Sequence, residues 1–392
     1  MSPALVARSA DLRQLRDEGY EVTVEHGHLV VSHVPYLNAQ REVKLGILVS
    51  KLSLAGDTTI TPETHVVHFA GEKPCDANGQ PLNKVIHSPV QEQIIPGLTV
   101  NYMFSNKPDA GYPNYYAKIT TYVALLGTHA AAVDPSVTAR TFQVVETDAS
   151  ESVFRYLDTA SSRAGIAAIN AKLAMPRVAV VGLGGSGSYV LDLIAKVPVR
   201  EIHLFDGDDL LQHNAFRAPG APSLEQLRQR PKKVDHYAEM YGAMRRGIVA
   251  HPYFLDETNA NELQCMSFVF LCMDQGESKR HLIKAMEAAG IAFVDVGMGL
   301  YTVDDMIAGH LRTTTSTPQK RDHIWDQRRI PFEDGGDDDY GTNIQIAELN
   351  ALNAAYAVIR WKKWRGFYAD LEQEHHSVYT ITTNCLVGDD QT

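Results

Sequence analysis

The valine-rich stretch Val178-Ala179-Val180-Val181 runs directly into Gly182-Leu183-Gly184-Gly185-Ser186-Gly187-Ser188. This is G-x-G-G-x-G between an expected strand and an expected helix, a setting in which glycines admit a phosphate. Gly182 lets the chain turn sharply. Gly184 and Gly185 let the backbone approach a phosphate, and Gly187 lets the helix lie close on the strand. The helix N-terminus then offers free N–H groups and a partial positive charge. Asp206 ends the next strand, 24 residues after Gly182. A carboxylate at that place accepts hydrogen bonds from ribose hydroxyls. These residues suit NAD, FAD and ATP equally, and the glycines do not choose among them.

The surrounding elements fit such a site. Strands expected at 177–181, 201–205, 247–254, 267–272 and 292–296 alternate with helices at 188–196, 223–241, 258–263 and 277–289. That βαβα rhythm predicts an α/β fold with a doubly wound, mostly parallel sheet. One or two helices are expected over 151–173, and further strands at 307–313 and 377–382. A helix is expected at 343–364. The polar stretch 321–340, with Glu333, Asp334, Asp337, Asp338 and Asp339 around two glycines, reads as a mobile loop.

Residues 1–150 have a different texture. A short helix at 10–18 precedes strand candidates at 21–33, 43–54 and 64–69, and 116–132 reads as helix or strand. They form a smaller α+β accessory domain ahead of the second domain at 151–392.

The chain has 392 residues, 44% hydrophobic and 21% charged, an ordinary globular mixture. With 36 basic and 47 acidic residues its net charge is −11, which weighs against nucleic acid as a partner. Four cysteines are widely spaced without a CxxC pair, so neither a disulfide framework nor a four-cysteine zinc site is available. No uncharged apolar run reaches the length of a membrane span, and the first 20 residues lack the apolar stretch of a signal peptide. A cytoplasmic location is expected.

Beyond the glycines the chain reads Asp206-Gly207-Asp208, then Asn214 eight and Arg217 eleven residues after Asp206. Pro231-Lys232 precedes a helix, Asp274 follows the strand Phe270-Leu271-Cys272, Arg280 follows on the next helix, and Asp295-Val296-Gly297 closes the next strand. In this order the motifs resemble the ThiF, MoeB and ubiquitin-activating enzyme family of adenylyltransferases. The resemblance covers residues 151 to about 312, and it does not extend to residues 1–150.

The resemblance implies a Rossmann-like domain that uses ATP and Mg²⁺. Gly182, Gly184, Gly185, Gly187, Asp206, Asp208, Asn214, Arg217 and Lys232 would bind the nucleotide, and Asp274 would hold the metal. The physical roles agree: Arg217 and Lys232 neutralise phosphates, one as a fork and one as a point charge, and Asn214 orients phosphate or carboxylate oxygens. Lys233 is the rival to Lys232. The resemblance also implies a homodimer in which an arginine crosses into the partner's site; Arg163 is the choice and Arg155 the rival. The carboxylate activated would be the C-terminus of a ubiquitin-like or sulfur-carrier protein in a bacterial conjugation pathway, and residues 1–150 would recruit that carrier or a conjugating enzyme. The alternatives are adenylation of a small molecule or tRNA base, a non-catalytic scaffold, and an NAD-binding oxidoreductase.

The pattern departs from the family in one respect. The crossover loop, expected at about 313–342, carries no catalytic cysteine, and Cys272 and Cys265 read as core packing. Cys385 and Cys75 are weak nucleophile candidates. The run Arg312-Thr313-Thr314-Thr315-Ser316-Thr317, with His310 and His323 close in sequence, offers hydroxyls that could receive an acyl group as an oxyester.

Overall fold

The computed structural model describes residues 3–274, 276–332 and 344–391. The expected mobile loop and the acidic run Glu333–Asp339 lie in part or wholly outside them. The chain divides into two compact units, Met1–Val145 and Glu146–Thr392.

The first unit is built on an antiparallel sheet of β1 (Glu21–Glu25), β2 (His28–Leu37), β3 (Val43–Lys51), β4 (Val67–Ala70), β5 (Ile86–Ile95) and β6 (Leu98–Phe104), ordered β1-β2-β3-β4-β6-β5. Helix α1 (Ala10–Asp17) buries Leu12 and Leu15. The segment expected as helix or strand is α2 (Tyr115–Val133), capped by the Asn114 side chain, which accepts from the Ala117 N–H. Tyr115, Ile119, Tyr122 and Leu126 repeat at helical spacing and share a core with Val31, Leu48, Phe69 and Phe104.

The second unit holds an eight-stranded sheet. Its parallel part comprises β7 (Arg177–Val181), β8 (Glu201–Phe205), β9 (Ile248–His251), β10 (Phe268–Leu271) and the start of β11 (Phe293–Val303). An antiparallel extension follows with β12 (Met306–Ser316), β13 (Glu374–Thr380) and β14 (Cys385–Gln391), so the order is β9-β8-β7-β10-β11-β12-β13-β14. Val178, Ala179, Val180 and Val181 are all buried, as a central strand covered on both faces requires. Helices α3 (Gly185–Ile194), α4 (Lys233–Gly242), α5 (Glu277–Ala288) and α6 (Ala347–Trp364) cover the sheet.

Several expected elements change shape. The helix expected at 223–241 breaks into Leu224–Gln229 and α4 at Arg230, whose φ is +48°, next to Pro231, because a proline cannot supply the helical N–H. Residues 151–173 hold only the short helices Thr159–Arg163 and Ala167–Asn170 and a 3₁₀ turn. The strand expected to end at Thr313 continues to Ser316. Thr313, Thr314, Thr315 and Ser316 are therefore buried in the sheet, not in a crossover loop. A run of β-branched residues favours that pleated setting.

Candidate active site

The glycine turn is dictated by close approach. Gly182 has φ +87°, and a Cβ there would stand 2.8 Å from the Cys272 carbonyl oxygen. A Cβ on Gly187 would stand 1.9 Å from the Gly182 carbonyl oxygen. Helix α3 thus starts tight against the strand ends, with Gly184 as N-cap and no side chain bonded to its first N–H groups. Such N–H groups are unsatisfied donors at the positive end of the helix dipole. Gly182, Gly184 and Gly185 border a cavity of about 970 Å³.

Asp206 locks this turn. Its Oδ2 accepts from the Leu183 N–H at 2.6 Å and its Oδ1 from the Asp208 N–H at 2.8 Å. An ionised carboxylate has about four acceptor positions, so both oxygens retain capacity for a ribose hydroxyl. Asp208, Arg217 and Asp274 border the same cavity. Arg217 reaches it from the segment after β8; its Nε is buried with no partner among the described residues, and its carbonyl accepts from Asn350 Nδ2 at 3.2 Å. Asp274 stands exposed at the end of β10, without a hydrogen bond or ion pair to any described residue.

Four expected residues lie elsewhere. Gly187 does not border the cavity, and its close approach to the Gly182 carbonyl lets α3 lie tight on the strand end. Asn214 is buried, but its Oδ1 accepts from the Leu211 N–H at 2.8 Å and caps the short helix Gln212–Ala215. Lys232 does not border the cavity; its Nζ donates to the Gly207 carbonyl and pairs with Asp209, both at 2.8 Å. The inward lysine is Lys233, because Lys232 is the extended N-cap of α4 and the next residue turns toward the sheet. Lys233 Nζ lies 2.6 Å from Asp208 Oδ2 and 3.6 Å from Asp206 Oδ2, with its side chain 6% exposed. Arg163 is exposed on the helix Thr159–Arg163, and Arg155 donates through Nε to the Gly242 carbonyl; neither borders the cavity.

The opposite wall was not anticipated. Asn350 and Asn353 of α6 border the cavity. Asn350 Oδ1 accepts from Ser186 Oγ at 3.2 Å, and Asn353 Nδ2 donates to the Gly297 carbonyl at 3.1 Å. Their spacing was a usable signal: two amides lie on the stripe that continues with Ala354, Ala357 and Trp361, all buried, and polar groups on an apolar stripe require partners. Lys279 of α5 and Arg312 of β12 also border the cavity. Each pairs with Asp295, which is fully buried, at 2.7 and 2.6 Å.

The cysteines and hydroxyls do not form a second reactive centre. Burial pushes the Cys272 and Cys75 thiols up, away from thiolate. Cys385 is exposed at the start of β14 and is not on the cavity wall. Thr314 Oγ1 lies 3.0 Å from His376 Nδ1, and His323 Nε2 lies 3.1 Å from the Thr315 carbonyl. Thr313, Thr314, Thr315, Ser316 and Thr317 are all buried, so their hydroxyls are not open to an acyl group in this structure.

Residues 161–320 match the ThiF family, and residues 10–159 match a domain family of unknown function, DUF6791. The ThiF match thus falls within the second unit, whose parallel sheet and covering helices form a Rossmann-like α/β fold. No curated protein matches the chain. Among solved structures, PaaA is similar at 13% identity over 57% of this chain and 76% of that one, with a TM-score of 0.41. E. coli MccB, solved with AMPCPP and MccA, is similar at 14% identity over 57% of this chain and 66% of that one, with a TM-score of 0.43. Among the described residues no helix is long and apolar enough to cross a membrane, and no group of acids, histidines and cysteines forms a metal cluster.

Proposed function

We propose that the second unit binds ATP and transfers its adenylyl group to the C-terminal carboxylate of a ubiquitin-like or sulfur-carrier protein. The observation that carries this reading is Arg217. Its buried Nε, without a partner among the described residues, shares one cavity with the open N-terminus of α3 and the exposed carboxylate of Asp274. A buried guanidinium donor without a partner costs free energy unless an anion completes it. The helix end is a second anion site in the same space.

In the proposed reaction a carboxylate oxygen attacks the α-phosphorus of ATP. The bond to the bridging oxygen breaks, and pyrophosphate leaves with its electron pair. Two anions must meet, so the site has to neutralise phosphate charge before the attack. Arg217, Lys233 and the α3 N–H groups supply that neutralisation, and Asp206 holds the glycine turn and accepts a ribose hydroxyl. A lone carboxylate beside phosphates suits magnesium, which is commonly bound by one or two carboxylates together with substrate phosphates. Asp274 would hold that ion, whose chemistry is to draw charge from the phosphate oxygens.

Arg163, exposed outside the cavity, is the residue we assign to the partner's site in a homodimer. The first unit is assigned to recruiting the carrier or a conjugating enzyme. The test is exchange of labelled pyrophosphate into ATP in the presence of a ubiquitin-like protein ending in Gly-Gly. Exchange that depends on that protein and is lost in Asp274→Ala supports the reading. Exchange indifferent to Asp274 removes the metal assignment, and hydride transfer from a nicotinamide would replace the reaction altogether.

A further inference from the structure

The cavity has a second end, away from the glycine turn, with its own charge and shape. Asp295 of β11 is fully buried and faces two cations, Lys279 Nζ at 2.7 Å and the Arg312 guanidinium at 2.6 Å. One carboxylate is shared by two cations in this cluster, and Asp274 and Glu277 also border the cavity. Lys279 is 3% exposed and Arg312 is 12% exposed, so Arg312 is the member that reaches open space.

Its position is set from three sides. Nη2 is held by Asp295, and Nη1 donates to Thr314 Oγ1 at 2.9 Å. Thr314 Oγ1 is in turn 3.0 Å from His376 Nδ1, and burial lowers the His376 pKa to about 4, so that ring is neutral and does not add charge. A guanidinium carries five N–H donors; these two contacts leave donors for a ligand. The third side is backbone. Gly297 pairs with Arg312 across β11 and β12, and a Cβ on Gly297 would stand 2.6 Å from Arg312 Nη2. Gly299 pairs with His310, and a Cβ there would stand 2.9 Å from that ring. Both glycines border the cavity beside Met298 and Leu300, so Arg312 and His310 cross main chain that carries no side chain at these two positions.

We propose that Arg312 is the substrate-binding cation for the incoming terminal carboxylate, and that Asp295 and Gly297 are positioning residues that hold it there. The inference deepens the adenylylation reading and rests on it. A planar guanidinium matches a carboxylate as a fork. The fork takes both oxygens on arrival, and one stays on the guanidinium as the other leaves it to attack phosphorus. The two glycines leave the guanidinium room to meet a narrow chain end.

The probes are glycylglycine, which has a free carboxylate, and glycylglycinamide, which lacks one. Each is titrated by NMR line broadening into the full-length protein, alone and with a non-hydrolysable ATP analogue. The expected result is millimolar binding of glycylglycine, at least tenfold weaker binding of the amide, and a loss of tenfold or more in Arg312→Ala. Affinity for the ATP analogue should stay within about twofold in that variant, and Arg312→Lys should recover part of the dipeptide binding. Gly297→Ala, which crowds the guanidinium without removing it, should weaken the dipeptide and spare the nucleotide. The proposal is overturned if the wild type ignores glycylglycine, if the amide binds equally well, or if Arg312→Ala binds the dipeptide like the wild type while still melting cooperatively. Failure of the wild type to bind the ATP analogue would instead strike the adenylylation reading. Arg312-dependent dipeptide binding without nucleotide would even then support the carboxylate subsite.

Discussion

Both units bury lysines, and the two settings differ. In the first unit Lys118 is fully buried on α2, and its Nζ donates to Ser50 Oγ at 2.9 Å and to the Thr64 carbonyl at 2.8 Å. Both partners are neutral. In the second unit Lys279 and Lys233 are nearly as buried, and each lies against carboxylates at the edge of the cavity. A buried cation with neutral partners ties elements together at an electrostatic cost. The lysines of the second unit instead face acids around open space that a ligand can enter. The comparison teaches that burial alone does not mark a site; the partners and the adjacent space do. It also implies that charge removal in the second unit should be read in activity, and in the first unit in stability.

The largest effect should come from Arg217→Ala. Its guanidinium Nε has no described partner to lose, so folding should change little, by less than about 1 kcal/mol in a melting experiment. Pyrophosphate exchange should fall by about 10² to 10³, as when a charge-stabilising donor is removed from a transition state. Equal losses in both measurements would make Arg217 a structural residue and erase the contrast with Lys118.

Lys118 should give the converse. Burial lowers its pKa from 10.5 to about 8, so the folded state releases this proton before the unfolded state does. Between pH 8 and 10.5 the unfolded chain binds more protons, and stability must rise with pH. Below pH 8 both states are protonated and the folded state bears the full cost. The gain is on the order of 3 kcal/mol across that window. Tyr115 and Tyr122 oppose it above pH 10, because burial raises both phenols and their contribution is lost as they ionise. Hydrogen exchange of first-unit peptides should therefore slow from pH 8 to 10 after correction for intrinsic rate, and Lys118→Met should flatten the dependence. A flat wild-type profile would mean that Lys118 keeps its charge inside.

The same contrast explains what was legible in the sequence. Local signals carried far in the second unit: a Val-rich strand, four glycines and a carboxylate at the next strand end are consecutive, and their geometry follows from short-range sterics. Arg217 and Asp274 were named through the motif order that resembles the ThiF family, and the structure places both on the cavity wall. Asn350, Asn353, Lys279 and Arg312 were not assigned to the site, because they join it through pairing between distant elements, and spacing along the chain does not encode which strands become neighbours. Thr313–Ser316 failed for a related reason. Polar composition resembles a loop until β13 supplies His376 as a partner for Thr314. In the first unit the ambiguous segment became α2 because the sheet offered a surface for one apolar stripe, a tertiary fact that propensity does not contain.

The finest test separates two neighbours. Lys232 and Lys233 are indistinguishable by type, and only the turn into α4 sends one outward and the other inward. Lys232 is 41% exposed and its partner Asp209 is 45% exposed, a setting in which an ion pair contributes little. Lys233 is 6% exposed beside Asp206 and Asp208, so its removal leaves two acids facing the phosphate site. Lys233→Ala should weaken ATP binding about tenfold, whereas Lys232→Ala should change it by less than about twofold; one charge at close range to a phosphate justifies the first figure. Both can be read by calorimetry with ATP and magnesium. Adding Asp208→Asn to Lys233→Ala should restore part of the affinity, because the added loss comes from the unpaired acid and not only from the missing cation. Equal effects of the two lysines would show that the helix start is not fixed in solution, and that a buried partner is no better a guide to the site than a place in the sequence.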